Sequence, residues 1–212
     1  MPWDASAQAF DQLHQSTLWK SIAQQFLVFA APEGSDLVLQ IGAKTGRFAL
    51  ALAAKAREVQ CIETSQPLLS VAEHNIKTAR VDNISFEHGE YEDLPFADGS
   101  FDLTCSLFIL HQSKNPAKAI QEMARVTRFG GRVVCLAPSP GFTKDAIEKW
   151  IKKNLPSRSL AEALLGLAEE TANGRSFTED ALADLFGEAG IYEIELDTAF
   201  NDLLFIVKAR HS

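Results

Sequence analysis

The stretch Val38–Phe48 reads VLQIGAKTGRF and joins a short apolar run to a turn that contains two glycines. An apolar run of this length is typical of a buried parallel strand, and the residues after Gly46 have the apolar periodicity of a helix. A glycine turn before a helix presents backbone N–H groups to whatever lies above it. The stretch therefore predicts a strand, a ligand-binding loop and a helix in succession.

From Gly34 onward, strand-like and helix-like segments alternate, which indicates a parallel sheet covered by helices. Strands are predicted at residues 37–41, 59–62, 84–87, 101–107 and 132–136. The helices between them are predicted to begin at Gly46, after Ser65-Gln66-Pro67 and at Asn115-Pro116, the last two because a capping residue precedes an early proline. They should end near Ala56, Ala79 and Val126. The expected fold class is α/β, with a doubly wound, seven-stranded, mostly parallel sheet that ends in an antiparallel hairpin.

The chain is expected to form a single domain with four parts. Residues 1–33 should form N-terminal helices that pack beside the cleft as a lid, because they carry Trp3, Phe10, Leu13, Trp19 and Phe26 at mixed helical spacings. Residues 34–138 form the predicted core. A helical insertion follows at 139–176, with helices at 144–154 and 159–171, and the last helix (178–189) and hairpin (192–196 and 203–209) occupy 177–212.

Composition excludes several classes of protein. With 212 residues, 46% hydrophobic and 23% charged, the chain can bury one full core. The formal charge of −8 argues against binding to nucleic acid, which usually needs a basic surface. No run approaches the roughly 20 apolar residues of a membrane span, and the N-terminus lacks the order of a secretion signal, so we expect a soluble, cytoplasmic protein without membrane contact. Three cysteines without a close pair are predicted to be buried free thiols rather than metal ligands or disulfides: Cys61, Cys105 and Cys135.

The candidate site follows from the predicted topology. In a doubly wound sheet, ligands bind beyond the carboxyl ends of the strands, at the point where the winding direction reverses. The first and fourth strands should flank that point. The residues to inspect are those that follow each strand, namely 42–46, 63–64, 89–91 and 106–111.

Several spaced motifs resemble those of one family. They are Leu94–Asp102 (LPFADGSFD), Ile109–His111 (ILH) and Glu122–Val126 (EMARV), the last followed by Gly130-Gly131-Arg132. In this order, and together with the glycine loop, they are similar to the class I S-adenosylmethionine-dependent methyltransferases, in particular the type 11 subgroup. The resemblance covers residues 36–136 and implies a Rossmann-like methyltransferase fold, S-adenosylmethionine as cofactor and methyl transfer as the reaction.

The resemblance also implies which residues contact the cofactor. The loop Gly42–Gly46 would wrap the methionine part, and Glu63 would accept both ribose hydroxyls, since its two oxygens can accept a pair of O–H donors. The pair Glu90-Tyr91 stands where family members usually carry Asp-Ala against the adenine. The full set of cofactor contacts implied is Gln40, Gly42, Ala43, Lys44, Gly46, Glu63, Thr64, Glu90, Tyr91 and Ser106. The alternative for Glu63 is an ordinary solvated carboxylate at a strand end.

Two loop residues depart from the family pattern Asp-x-Gly-x-Gly-x-Gly. Gln40 replaces the aspartate, and Lys44 replaces the middle glycine. A lysine in a left-handed conformation would cost about 1–2 kcal/mol. If its side chain enters the cleft, the ammonium is repelled by the sulfonium and amino groups of the cofactor. The alternative is that Lys44 extends to solvent with its stem along the loop.

Other chemistry fits less well. The loop lacks the glycines of a nicotinamide-binding motif and of a P-loop, and Ser106–Ile109 does not resemble the tetrapeptide of DNA amino methyltransferases. Methyl transfer works mainly by positioning, so no catalytic dyad is required. His111 is a candidate base, with a structural role as the alternative. The predicted function is methyl transfer to a small-molecule substrate. The second hypothesis is a catalytically impaired binding or regulatory module, because of Gln40 and Lys44; the oligomeric state is left open.

Overall fold

The computed structural model describes residues 7–173 and 175–211, so the predicted contribution of Trp3 and the packing of the Phe10 side chain lie outside what is described. The elements in chain order are α1 (Ala7–Gln15), α2 (Thr17–Ala30), β1 (Leu37–Ile41), α3 (Arg47–Ala53), β2 (Glu58–Glu63), α4 (Gln66–Ala79), β3 (Ile84–His88), β4 (Phe101–Leu107), α5 (Pro116–Val126), β5 (Thr127–Pro138), α6 (Lys144–Asn154), α7 (Arg158–Asn173), α8 (Glu179–Glu188), β6 (Ile194–Ala199) and β7 (Leu204–Arg210).

The strands form one seven-stranded sheet in the order β3-β2-β1-β4-β5-β7-β6. Strands β1 to β5 pair with one another in parallel. Strand β7 pairs antiparallel with both β5 and β6. The chain winds outward from β1 to β3 and then returns to β4 on the other side of β1. The predicted doubly wound sheet with a C-terminal antiparallel hairpin is confirmed, and its reversal point lies between β1 and β4.

Three elements differ from their predicted limits by three residues or more at one end. Strand β5 begins at Thr127 rather than Arg132, because Phe101 pairs with Thr127 while Leu103 already pairs with Arg132, which leaves the intervening residues as a bulge. In the hairpin, Tyr192 is 83% exposed and precedes the strand, and β6 extends to Ala199. The connecting turn is therefore shorter than predicted and uses left-handed residues. Helix α3 ends three residues early, at Ala53.

Hydrophobic cores cover both faces of the sheet. On one face, α2 and α3 contribute Phe26, Phe48 and Leu52, together with apolar side chains from α6 and α7. On the other face, α5 and α8 contribute Met123 and Phe186. The three cysteines are free and buried in the strands, as predicted. In residues 7–173 and 175–211, no helix combines the length and the apolar character needed to cross a membrane.

Candidate active site

The glycine loop, residues 42–46, lies at the carboxyl end of β1 and is anchored by backbone hydrogen bonds. The N–H groups of Gly42 and Ala43 donate to the carbonyl of Ile62, at 2.9 and 3.1 Å. Gly42 has a φ of +76°, and a Cβ added there would lie 2.5 Å from Cγ2 of Ile109. Only glycine fits this position, because both the conformation and the close approach exclude a side chain.

Glu63, the last residue of β2, has a buried carboxylate that accepts four hydrogen bonds from the neighbouring loops. Its Oε2 accepts a hydrogen bond of 2.8 Å from the Lys44 backbone N–H, which ties it to the glycine loop. Its Oε1 accepts the N–H groups of Thr64 and Ser65, at 3.1 and 3.0 Å, and the Tyr91 hydroxyl, at 3.3 Å. With 1% exposure, Glu63 is not a solvated strand end. It is a buried anion that three loops share.

Tyr91 follows β3 and lies over Glu63. Burial, with the charge of Glu63 as the next cause, raises the pKa of the Tyr91 phenol, so the hydroxyl stays protonated and donates. Beyond it lies a cavity of about 210 Å³, the Tyr91 pocket, lined by Thr64, Glu90, Tyr91, Glu92, Gln112, Ser113 and Lys114. Glu90 is exposed at its edge. The structure thus brings Glu63, Thr64, Glu90 and Tyr91 together as predicted from the sequence.

Lys44 turns inward rather than toward solvent. Its φ is 52°, which is the left-handed conformation, and the residue is only 7% exposed. The Nζ donates a hydrogen bond of 2.8 Å to Oε1 of Gln112, and the Gln112 amide donates in turn to Glu170 on α7, at 3.3 Å. Of the two destinations considered for this side chain, the structure shows the inward one, where Lys44 links the glycine loop to the loop after β4.

A second cavity, the N-terminal pocket, lies between the glycine loop and the N-terminal helices. As the side chains stand, its free volume is about 20 Å³, so a ligand larger than a water molecule enters only when the wall moves outward. Most of its wall is aliphatic or aromatic, and the residues that line it are Leu13, His14, Trp19, Gln40, Gly42, Ala43, Lys44, Phe48, Leu107, Phe108, Gln112 and Leu167. Gln112 lines both this pocket and the Tyr91 pocket.

The N-terminal helix α1 is fastened to the glycine loop by polar contacts. Asp11 forms a two-point ion pair with Arg47, with both N···O distances 2.8 Å. Asn75 of α4 donates both to Asp11, at 2.9 Å, and to the Thr45 carbonyl, at 2.9 Å. Partial burial is the largest single influence on the pKa of Asp11 and raises it, but the hydrogen bonds from Arg47, Thr45 and Gln15 and the charge of Arg47 together outweigh burial, and the pKa falls to about 2. These contacts hold α1 against the N-terminal pocket, which its residues Leu13 and His14 line.

His14 is a site residue that the sequence reasoning missed. Its ring stacks on Trp19, with the centroids 4.6 Å apart, and its Nδ1 lies 3.2 Å from the Thr45 hydroxyl. Burial, helped by the charge of Lys44, lowers its pKa to about 3, so the imidazole is neutral at pH 7. A histidine within a helical aromatic pattern gives no local signal of this role, because only the docking of α1 on the loop brings it into the wall.

Of the remaining residues predicted to form the site, three line neither pocket and one lies in the wall of the N-terminal pocket. His111 is buried, with Nε2 4.0 Å from a Glu170 oxygen and its ring edge-to-face with Phe108, and burial lowers its pKa. It is not among the residues that line either pocket. Ser106 lies fully buried in the sheet, and Gly46 packs against Ala72 at the start of α3. These two residues also line neither pocket, whereas Gln40 lies in the wall of the N-terminal pocket.

Comparison with known proteins agrees with this geometry. Residues 39–135 match the methyltransferase domain family designated Methyltransf_11. A demethylmenaquinone methyltransferase of Geobacillus kaustophilus is 30% identical over 168 residues, which cover 74% of this chain and 71% of the relative. One of Clavibacter sepedonicus is 36% identical over 104 residues, or 49% of this chain and 42% of that relative. An S-adenosylmethionine-dependent methyltransferase of Aquifex aeolicus has the same fold, with a TM-score of 0.74, 15% identity and coverage of 99% and 98% of the two chains.

The chain is therefore a class I S-adenosylmethionine-dependent methyltransferase by fold and by sequence. Within that class it belongs to the type 11 subgroup, whose methyl donor is S-adenosylmethionine.

The residues present fit this cofactor. Oε2 of Glu63 accepts a single N–H and keeps a lone pair for a ribose hydroxyl, while Oε1 is used by three donors. A hydroxyl that replaces the Tyr91 contact would use the second oxygen. Gly42 presents bare backbone at the end of β1 and lines the N-terminal pocket, and the Tyr91 hydroxyl lies 3.7 Å from where its Cβ would be. In the N-terminal pocket, the Lys44 ammonium opposes a cationic ligand.

Proposed function

We propose that this protein transfers the methyl group of S-adenosylmethionine to an apolar small molecule that occupies the N-terminal pocket. The observation that carries the proposal is the position of this pocket. It shares Gly42, Ala43 and Lys44 with the glycine loop and is otherwise walled mainly by aromatic and aliphatic side chains. Mostly apolar clefts with a few polar groups are typical of small-molecule sites, and this one must widen to admit a ligand.

The names of the relatives support a substrate of this kind. Both curated relatives described above are named demethylmenaquinone methyltransferases. The walls formed by Trp19, Phe48 and Phe108 suit a flat, apolar ring system of the same general character. We therefore place the acceptor of this chain among apolar, ring-containing small molecules rather than nucleic acids.

The side chains of the site act by positioning. When bound, the cofactor supplies an electrophilic methyl group, and in-line placement of the acceptor accounts for most of the rate increase. Glu63 and the glycine loop orient the nucleoside and the methionine end. The fastening of α1 by Asp11 and Arg47 keeps the apolar wall closed and excludes water from the pocket.

Calorimetry with S-adenosylhomocysteine tests the cofactor site. We expect Glu63→Ala to weaken binding more than tenfold, because a hydrogen bond to a charged group contributes about 1.5–3 kcal/mol. Glu87→Ala is the matched control, since Glu87 is an exposed carboxylate on the neighbouring strand. Equal affinity of the two variants would contradict the assigned role of Glu63, and no binding to the wild type at millimolar ligand would exclude the proposed function.

Product formation is the second measurement. Purified protein, labelled S-adenosylmethionine and a panel of apolar ring compounds should give a methylated product by mass spectrometry. Trp19→Ala should reduce turnover while leaving S-adenosylhomocysteine affinity unchanged. The hypothesis of an impaired module makes the opposite prediction, that turnover appears only when Gln40→Asp and Lys44→Gly restore the family pattern.

A further inference from the structure

Lys44 carries the charge in the wall of the N-terminal pocket. Three other polar residues among the twelve that line it are His14, Gln40 and Gln112. The two amides are neutral, and His14 is neutral as well at pH 7, since its pKa is about 3. A ligand in this pocket therefore meets one cation against a largely apolar surface.

The ammonium of Lys44 has one partner in the described part of the chain, the amide oxygen of Gln112 at 2.8 Å. It has three N–H donors, and no carboxylate of residues 7–173 or 175–211 lies within ion-pair distance of Nζ. Glu63 contacts the backbone N–H of Lys44, and Glu170 reaches it only through the Gln112 amide. A buried cation that is paired with a neutral amide is stabilised further by an anionic ligand.

Backbone strain is concentrated at the same place. Lys44 and Phe108 both have left-handed φ values, 52° and 63°, and both line the N-terminal pocket. The other left-handed residues that are not glycine occur at helix ends or in the hairpin turn, where this conformation is ordinary: Ala31, Arg80, Leu155, Phe200, Asn201 and Asp202. Strain without such a local explanation is characteristic of binding sites.

We propose that the Lys44 ammonium binds an anionic oxygen of the methyl acceptor, so that the substrates of this chain are aromatic molecules with an ionised hydroxyl. The inference rests on the proposed function. The aromatic walls hold the ring, and the ammonium favours the ionised over the protonated hydroxyl. Lys44 is thus a residue that determines substrate specificity, at a loop position where the family pattern has glycine.

The test compares 4-nitrophenol with 4-nitroanisole, its neutral methyl ether of nearly the same shape. The visible absorbance of the nitrophenolate reports directly whether the bound hydroxyl is ionised. Binding of both compounds is measured to the wild type, to Lys44→Met and to Lys44→Gly, each saturated with S-adenosylhomocysteine. Lys44→Gly also removes the left-handed strain, so it keeps the test valid if the methionine variant fails to fold. Lys20→Met is the control, because Lys20 is an exposed lysine on α2 that lies outside this pocket.

We expect the wild type and Lys20→Met to bind the phenolate at least tenfold more tightly than the anisole, and Lys44→Met and Lys44→Gly to lose this preference; tenfold is about 1.4 kcal/mol. The apparent pKa of bound nitrophenol should fall in the wild type and return to its free value in both Lys44 variants. A wild type without the preference, or Lys44 variants that keep it, would overturn the inference.

Two further outcomes separate this inference from the proposed function. If both Lys44 variants lose affinity for S-adenosylhomocysteine and the phenolate preference persists, Lys44 binds the cofactor carboxylate instead, and the inference fails while the methyltransferase assignment stands. If the wild type does not bind S-adenosylhomocysteine in calorimetry, the proposed function itself fails.

Discussion

Replacing Glu63 by glutamine tests whether the site is organised around one buried carboxylate. Glutamine preserves the shape of the side chain, but it removes the charge and converts one oxygen into a donor. Glu63 accepts four hydrogen bonds, three of them on Oε1. The new amide should therefore direct its NH₂ toward the single donor at Oε2, the Lys44 N–H. That places two donors face to face, 2.8 Å apart in the native geometry.

The expected loss of stability follows from these contacts. A buried N–H without an acceptor costs about 1–3 kcal/mol, and each of the three remaining bonds changes from charge-assisted to neutral. Glu63 is 1% exposed, and the neutral glutamine removes the cost of keeping a charge buried there. This gain offsets part of the loss. We therefore expect Glu63→Gln to lower the free energy of unfolding by about 2–4 kcal/mol. For a chain of this size, that corresponds to a decrease in Tm of roughly 5–15 °C.

Thermal unfolding followed by circular dichroism measures this difference directly. Glu87→Gln, an exposed carboxylate at the end of β3, provides the matched control and should melt close to the wild type. If Glu63→Gln melts within about 2 °C of the control, the three-loop role of the carboxylate is refuted. The same variant should also bind S-adenosylhomocysteine more weakly. Unfolding reports the structural role of the carboxylate, and this affinity reports its role in binding.

Three other changes probe the surroundings of the site. Tyr91→Phe should leave S-adenosylhomocysteine affinity unchanged or raise it by up to about tenfold in calorimetry, since it frees an acceptor on Glu63 that a ribose hydroxyl can use; a large loss would show that the phenol itself binds ligand. Gly42→Ala should lower the free energy of unfolding by about 2–4 kcal/mol in denaturant unfolding, because the Cγ2 methyl group of Ile109 lies 2.5 Å from the new Cβ. Gly190→Ala is the control: Gly190 is also left-handed but has open space around it, so this variant measures the cost of the backbone conformation without the clash. The lowered pKa of Asp11, about 2 against 3.8, contributes stability above pH 4 that is lost as the pH falls toward 2. Asp11→Asn should remove that portion, roughly 1 kcal/mol after screening, from the pH dependence of unfolding.

Local signals in the sequence predict much of the fold. The serine and asparagine caps followed by proline begin α4 and α5 at the predicted residues, because capping and the fixed φ of proline act within one turn. The buried strands β1 and β4 have their predicted limits, since continuous apolar runs leave little freedom in their boundaries. The limits of elements that depend on strand pairing are harder to predict from the sequence. The start of β5 is set by a register shift against β4, and the bulge gives no separate pattern in the sequence.

The site was predictable where its chemistry lies next to a strand end, and unpredictable where distant segments meet. Glu63 and Tyr91 follow strands and could be found from topology alone. The destination of the Lys44 side chain depends on Gln112, 68 residues later, and through it on a helix of the insertion. Likewise, the place of His14 depends on the docking of α1 against Thr45. These positions are set by tertiary packing and not by any local pattern.

The two departures in the glycine loop have a common electrostatic consequence. Relative to the family pattern, Gln40 removes a negative charge and Lys44 adds a positive one, so the loop is more positive by two charges. For the sulfonium and amino groups of the cofactor this change is unfavourable, and for an anionic acceptor it is favourable, because both ligands meet at the same loop. If the acceptor binds as an anion, it offsets the added charge, and cofactor and acceptor should bind cooperatively. Restoring Gln40→Asp and Lys44→Gly together should then strengthen cofactor binding alone and weaken this cooperativity.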